Sequence, residues 1–450
     1  MNIMRTVSVT MLIGCALGLT VSHAVAQGAR DPGVRGGAVG AGLPVPNLPA
    51  EEQNYFAAGK IDFSEQEGVG DGLGPRFNLD GCAGCHMQPA IGGSSPPVNP
   101  QVGVATAFGA RNTVPSFITL NGPVREARFK QKSNGSKDGG VHDLFTVSGR
   151  VDSTGNASAC NIAQEDFATH VARNNVSFRI PTPVFGTGLI ENIPEGTLRS
   201  NLAADSDRKA RLGIGGRFNR SGNDGTITRF GWKAQNASML VFSGEAYNVE
   251  MGITNEAFTV ERDETANCQF AVAPNDVTVV SGATALDSLS SIEKFAMFMR
   301  FLAAPSASPD TPGGADSIGR GRQLFANVGC GYCHTPQLKT GNASVVALRA
   351  QPVNLYSDIA LHHMGPRLAD GIEQGGALGD EFRTAPLWGV GQRVFFLHDG
   401  RTSDLAQAIA AHSSNGNNQF APSEANRVVN IYEGLSERSK QDVLNFVRSL

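Results

Sequence analysis

Two pentapeptides in this chain of 450 residues carry chemistry that follows from their spacing. Cys82-Ala83-Gly84-Cys85-His86 and Cys330-Gly331-Tyr332-Cys333-His334 each hold two thiols separated by two residues, with a histidine directly after the second. Thiols so spaced can form thioethers to the two vinyl groups of one haem, and the next residue then reaches the iron from the proximal side. A zinc site shared between the two pairs, or thioredoxin-like redox motifs, would not require a histidine after both. The chain is expected to bind two covalently attached c-type haems through Cys82, Cys85, Cys330 and Cys333, with His86 and His334 as proximal ligands.

What each iron does depends on its other face: two strong axial ligands favour electron transfer, and an open face permits peroxide or oxygen chemistry. Candidates for the second haem are His362, His363, Met364, His398 and His412. In a cytochrome c domain the distal ligand comes from a loop before the last helix, and His412, closing Ala408-Ile409-Ala410-Ala411-His412, satisfies that order best. Each of these histidines also has a plainer reading as a hydrogen-bonded structural residue. For the first haem the candidates are His142 and His170, both in an irregular region. No short loop delivers a His or Met there, so this haem is read as the open one.

These residues must be positioned by helices. Ile292, Phe295, Ala296 and Met299 fall at helical spacing within Ser291–Ala304, which reads as a closing helix. Ala307–Asp316 is a linker by composition, and Ile318–Val328 reads as a helix leading into the second pentapeptide. Val443, Phe446, Val447 and Leu450 predict a last amphipathic helix. The segment between His86 and Ser291 is longer than a cytochrome c domain needs, with Gly/Ser/Asn-rich spacers at Ser133–Gly140 and Gly213–Gly225. Phe145–Val147 and Val277–Val280 have strand-like composition. The expected fold is mainly α, with two cytochrome c-type domains, the first enlarged by loop-rich insertions with some short strands. The expected divisions are a signal peptide over 1–26, an N-terminal haem domain over 27–306, a linker over 307–316 and a C-terminal haem domain over 317–450.

The start of the chain supports export. Arg5 precedes an uncharged apolar run from Val7 to Val21 that is too short to span a bilayer, and Ala24-Val25-Ala26 suits signal peptidase. The competing reading takes Leu12-Ile13-Gly14-Cys15 as a lipoprotein box with Cys15 acylated. No later segment reads as a membrane span, and the expected location is the periplasm. A net charge of -4 with 17% charged residues gives no basic stripe, which disfavours nucleic-acid binding. The 54 glycines indicate a loop-rich protein. Of seven cysteines, Cys160 and Cys268 remain outside the signal and the haem motifs; they either pair or stay buried and free.

The runs Tyr356–Gly365 (YSDIALHHMG), Phe382–Gly389 (FRTAPLWG) and Phe396–Arg401 (FLHDGR), with Arg229–Ala234 and Glu250–Thr254, resemble the di-haem oxidoreductase family over most of the mature chain. More distantly the chain is similar to bacterial di-haem cytochrome c peroxidases and to the di-haem enzyme that matures tryptophan tryptophylquinone. The resemblance implies a peroxide-reacting N-terminal haem and a C-terminal haem that transfers electrons to it. It implies distal ligation by His412 on the second haem, Trp232 as an electron relay between the haems, and Glu250 as the distal acid-base group. Trp232 also reads as a packed indole and Glu250 as a solvated carboxylate. A calcium ion is implied between the domains, although no dedicated calcium loop is present. Where relatives carry a distal glutamine this chain has Phe242, which suits an apolar substrate or oxygen, as in the similar latex-cleaving di-haem oxygenases. The implied partners are hydrogen peroxide or oxygen as oxidant and a small redox protein as donor. The alternatives are an oxygenase or protein-modifying oxidase, and a non-catalytic electron carrier.

Overall fold

The structure is a computed structural model that describes residues 28–36, 39–307 and 312–450. The signal peptide assigned to 1–26, Cys15 with it, and residues 308–311 of the expected linker lie outside the described residues. Helices frame both pentapeptides: α1 (Ala50–Ser64), α2 (Met239–Met251) and α3 (Ser291–Phe301) around the first, α4 (Gly314–Val328), α5 (Leu405–Ala411), α6 (Asn426–Glu433) and α7 (Glu437–Arg448) around the second. α4 starts inside the expected linker, because left-handed Gly313 begins the helix and Asp316 suits its first turn. Side-chain caps fix several starts, with Ser238, Asp404 and Ser436 each accepting from a backbone N–H of the first turn.

The same packing device recurs at the two pentapeptides. α1 crosses α3 at Gly59, where an added Cβ would lie 2.1 Å from the Lys294 carbonyl oxygen and 2.9 Å from Phe298 Cβ. α4 crosses α7 at Gly321, where it would lie 1.9 Å from the Asp442 carbonyl oxygen and 2.7 Å from Phe446 Cβ. Only glycine permits axes this close. Four residues after each glycine a phenylalanine packs near the pentapeptide histidine, Phe63 at 5.9 Å from His86 and Phe325 at 6.4 Å from His334 between ring centroids.

The strands are short. β1 (Arg76–Phe77) precedes the first pentapeptide, and β2 (Glu126–Phe129), β3 (Val141–His142), β4 (Phe145–Thr146) and β5 (Val176–Arg179) lie between it and α2; β1 pairs with β4, and β2 runs antiparallel between β3 and β5. β6 (Leu338–Lys339) pairs with β7 (Pro352–Val353), and β8 (Leu361–His363) with β9 (Glu381–Arg383). Phe145–Thr146 is thus a strand as expected. Val277–Val280 is not, because the pairing stops at a single bridge between Asp276 and Asn255; Val280 is 96% exposed. A disulfide joins Cys160 to Cys268 and closes the loop-rich segment.

The two halves interlock. Leu338, Leu348, Val353 and Leu355 pack into the core that holds Phe63, Phe295 and Phe298, while α4 and α7 center a second cluster. Between them Asp370 pairs with Arg179 at 2.8 Å and Lys233 at 3.0 Å, and Ile180 N–H donates to the His398 carbonyl. Among the described residues no helix is long and apolar enough to cross a membrane.

Candidate functional site

The first pentapeptide forms one helical turn, Cys82–Cys85, after which His86 lines a cavity that opens to solvent. His86 Nδ1 lies 3.0 Å from the Gly93 carbonyl. A carbonyl only accepts, so Nδ1 carries the proton and Nε2 keeps its lone pair for a metal. Burial lowers its pKa to about 4, which keeps the ring neutral. Cys82 and Cys85 line the same cavity.

α2 and β2 also contribute to the wall of this cavity. Glu250, in the last turn of α2, accepts from Asn78 Nδ2 at 2.8 Å and shares a hydrogen bond with Glu126 of β2. Burial, and the second carboxyl beside it, hold Glu250 well above the usual carboxylate range. Burial opposes ionisation of Glu126 too, but Arg128 at 2.6 Å wins and holds it down to about 2. The pair therefore carries one proton, on Glu250, and one charge, on Glu126. Glu126 was not legible in the sequence; the one local sign is Arg128, two residues on and hence on the same face of β2.

Phe242 lines this cavity as the resemblance implied, but an amide is present as well. Gln235, three residues after Trp232, reaches the wall with a buried Oε1 that finds no partner. His142 and His170 are not distal ligands. They stack on opposite faces of Phe129, at 3.7 and 3.8 Å between centroids, and do not line the cavity. His142 is bound to Asp138 and His170 to Asn175, so their nitrogens serve the loops around β2. His86 is the sole histidine in this wall among the described residues.

The second cavity is lined by Cys330, Cys333, His334, His398 and His412 among others. His334 Nδ1 lies 3.0 Å from the Tyr356 carbonyl, and His412 Nδ1 lies 2.7 Å from the Ala408 carbonyl one turn back at the end of α5. Both thus have the tautomer found at His86. Burial holds His334 down to about 4 and lowers His412. The other candidates fare differently. His362 meets Asp358 at 2.9 Å and Glu424 at 2.7 Å, so both nitrogens are taken; although burial opposes the charge, the neighbouring Cys333 and Asp358 raise its pKa well above the usual value. His363 is taken by Asp380 and Glu381. His398 stacks on Phe382 at 4.3 Å, and Met364 also faces the cavity. Cys333, Asp358 and His362 lie within one ligand-sized cluster, but its thiol and imidazole do not make the all-oxygen set that calcium prefers.

Trp232 joins the two cavities. Its indole is 8% exposed, donates from Nε1 to the Ile180 carbonyl at 2.9 Å and lines both spaces.

No curated protein matches the chain. Among solved structures it is similar to a MauG-like protein associated with microbial copper homeostasis (18% identity, 53% of this chain and 79% of that one, TM-score 0.30). It is also similar to the dihaem peroxidase BthA from Burkholderia thailandensis E264 (14%, 49% and 65%, TM-score 0.29). The hydrazine synthase of Kuenenia stuttgartiensis matches at 16% identity over 37% of this chain and 56% of that one, with a TM-score of 0.25. The family described as "Di-haem oxidoreductase, putative peroxidase" matches residues 127–450, well over half of the sequence, and the chain therefore belongs to the di-haem oxidoreductase family.

Proposed function

We propose that the protein is a periplasmic di-haem c-type oxidoreductase that reduces peroxide in its N-terminal cavity with electrons received at its C-terminal one. The observation that carries this reading is the unequal content of the two cavities. The C-terminal cavity presents three neutral histidines, two of which, His334 and His412, have Nδ1 tied to a backbone carbonyl, whereas the N-terminal cavity presents one histidine so tied and a protonated carboxyl. The cavities fit haem: each is walled largely by apolar side chains and brings a Cys pair beside a histidine. Cys82, Cys85 and His86 would hold one haem, and Cys330, Cys333, His334 and His412 the other. Bound there, the two haems supply redox-active iron able to pass single electrons.

The protein's own residues supply the rest. Glu250 holds a proton at its carboxyl and can give it to the departing oxygen of peroxide, while the charge on Glu126 favours its reprotonation. Gln235 offers an amide to orient the oxidant. Trp232 provides a π-system shared by both cavities and serves as the relay. The disulfide suits an oxidising compartment, which favours the periplasm. The repeated glycine and phenylalanine at the α1–α3 and α4–α7 crossings favours two cytochrome c-type units, divided at 307–316. The physiological donor in this reading is a small redox protein. Phe242 favours a second reading, oxygenation of an apolar substrate in the same cavity.

The test is peroxide turnover by the haem-loaded protein, read beside its low-temperature electron paramagnetic resonance spectrum. One high-spin and one low-spin signal are expected, with the high-spin signal altered by peroxide. Glu250→Gln should keep both signals and lose turnover by about 10²-fold or more. Turnover unaffected by this substitution would remove Glu250 from the reaction, and two low-spin signals indifferent to peroxide would favour an electron carrier.

A further inference from the structure

Of the buried arginines that line the two cavities, Arg383 and Arg393 have no counter-charge among the described residues. Arg383 of β9 and Arg393, which follows the turn Val390–Gln392, are each 9% exposed. Arg128, Arg150, Arg179 and Arg448, buried to a similar degree, all pair with a carboxylate: Glu126, Asp80 and Asp152, Asp370 and Asp31 respectively. Arg383 and Arg393 form no ion pair among the described residues. Arg383 donates from Nε to the Gly231 carbonyl at 2.9 Å, and the Arg393 guanidinium meets no hydrogen-bond acceptor there at all. The two also face each other's field. Burial pushes each down to about 10, and at Arg383 the charge of Arg393 adds to the effect. A fold does not bury two like charges together without something to neutralise them.

Their position says where that neutralising group sits. Both line the cavity of His334 and His412, and both line the small recess that runs from it past Trp232 toward the N-terminal cavity. Neither lines the N-terminal cavity itself. We infer that Arg383 and Arg393 form a carboxylate-binding subsite at the Trp232 edge of the C-terminal cavity, and that it takes the carboxylates of the haem held by Cys330, Cys333 and His334. This rests on the reading that a haem occupies that cavity. The guanidinium fork matches a carboxylate in two parallel hydrogen bonds, so two arginines give both charge balance and orientation. A carboxylate held there would set two positive charges beside the cofactor, which favours its reduced form.

The test uses the haem-loaded protein and its Arg383→Gln, Arg393→Gln and Arg393→Lys variants, with haem counted per chain, each haem titrated by spectroelectrochemistry, and the propionate bending modes read by resonance Raman. Two haems per chain are expected in the parent protein. Each Gln variant should lower the reduced-to-oxidised ratio of the C-terminal haem at fixed potential by about tenfold, or about 59 mV for one electron, and move its propionate band. Arg393→Lys should keep most of the potential and still move the band. Loss of the second haem from Arg393→Gln but not from Arg393→Lys would support the subsite equally. The inference is overturned if both Gln variants hold two haems with unchanged ratio and band, or if the larger shift falls on the N-terminal haem. A saturable response of the parent protein to added acetate would overturn it as well, by assigning the pair to a dissociable anion. Fewer than two haems in the parent protein would instead sink the haem reading, and this inference with it.

Discussion

Replacing Glu126 by glutamine isolates the proton held in the N-terminal cavity. Two ionised carboxylates at hydrogen-bond distance, about 3 Å, repel by roughly 5 kcal/mol at an effective dielectric constant near 20. The pair therefore keeps one proton, and Arg128, 2.6 Å from Glu126, decides which oxygen carries the charge. Glu126→Gln preserves shape and a hydrogen-bonding group but removes that charge. The Arg128 side chain, 8% exposed, loses its only ion-pair partner among the described residues, a change that costs about 3–5 kcal/mol when nothing else responds. Glu250 can respond: freed of the neighbouring charge and left beside an unbalanced guanidinium, it ionises and takes over part of the role. The net loss should then fall to about 1–3 kcal/mol, read by urea unfolding of the haem-loaded protein. Infrared spectroscopy provides the sharper measurement. The parent protein should show a protonated buried carboxyl at neutral pH that is absent in Glu250→Gln, and Glu126→Gln should lose the same band although Glu250 is still present. Persistence of that band in Glu126→Gln would refute the reasoning, because burial alone would then suffice to keep Glu250 protonated.

Other consequences follow from single features. Burial raises Glu67 from 4.5 to about 7 even though Tyr247 donates to it at 2.8 Å; the folded state binds the extra proton, so Glu67 stabilises the fold at low pH, and this contribution is lost as pH rises from about 4.5 through 7. Two and a half pH units at 1.36 kcal/mol set a ceiling of about 3 kcal/mol, and Glu67→Gln should match the parent protein near pH 4.5 and exceed its stability above pH 7 by up to that amount; equal pH profiles in denaturant melts would exclude the effect. The Cys160–Cys268 bridge closes a sequence separation of 108 residues, for which loop entropy gives about 5 kcal/mol; the double alanine variant should unfold at lower urea by a corresponding margin, and a change under about 1 kcal/mol would mean that the bridge constrains little. His412→Gly should convert the C-terminal haem from low to high spin and let added imidazole restore the original spectrum; a low-spin signal without imidazole would pass the distal role to His398 or Met364.

How much of this could be read from the sequence depended on whether the constraint was local. The pentapeptides stood out because the attachment proposed for them would fix thiol spacing within five residues. That His412 lines the second cavity was legible from helix order, but the Ala408 carbonyl that sets its tautomer belongs to the fold. His142 and His170 misled as ligand candidates because a lone histidine carries no sign of what it stacks on, and both are held by Phe129 from a different strand segment. Val277–Val280 misled because strand composition does not supply a partner strand. Glu126 with Glu250, and Arg383 with Arg393, were out of reach because charge balance in a buried site is settled by tertiary pairing.

The asymmetry of the two cavities can be traced to the unequal chain between pentapeptide and closing helix. Both halves start from one construction: a glycine where the entering helix meets the closing one, and a phenylalanine four residues on against the pentapeptide histidine. In the C-terminal half the return to α7 is short, and α5 ends with His412 facing the cavity. In the N-terminal half the return runs through β2 and α2, which bring Glu126 and Glu250 to the wall and leave the histidines of that segment outside it. The inserted chain thus replaces a second histidine with a proton-holding pair. Trp232, just ahead of α2, lies where the wall of one cavity becomes the wall of the other. On this view a shared scaffold becomes a reaction site on one side and an electron-transfer site on the other through the insertion, with both pentapeptides unchanged.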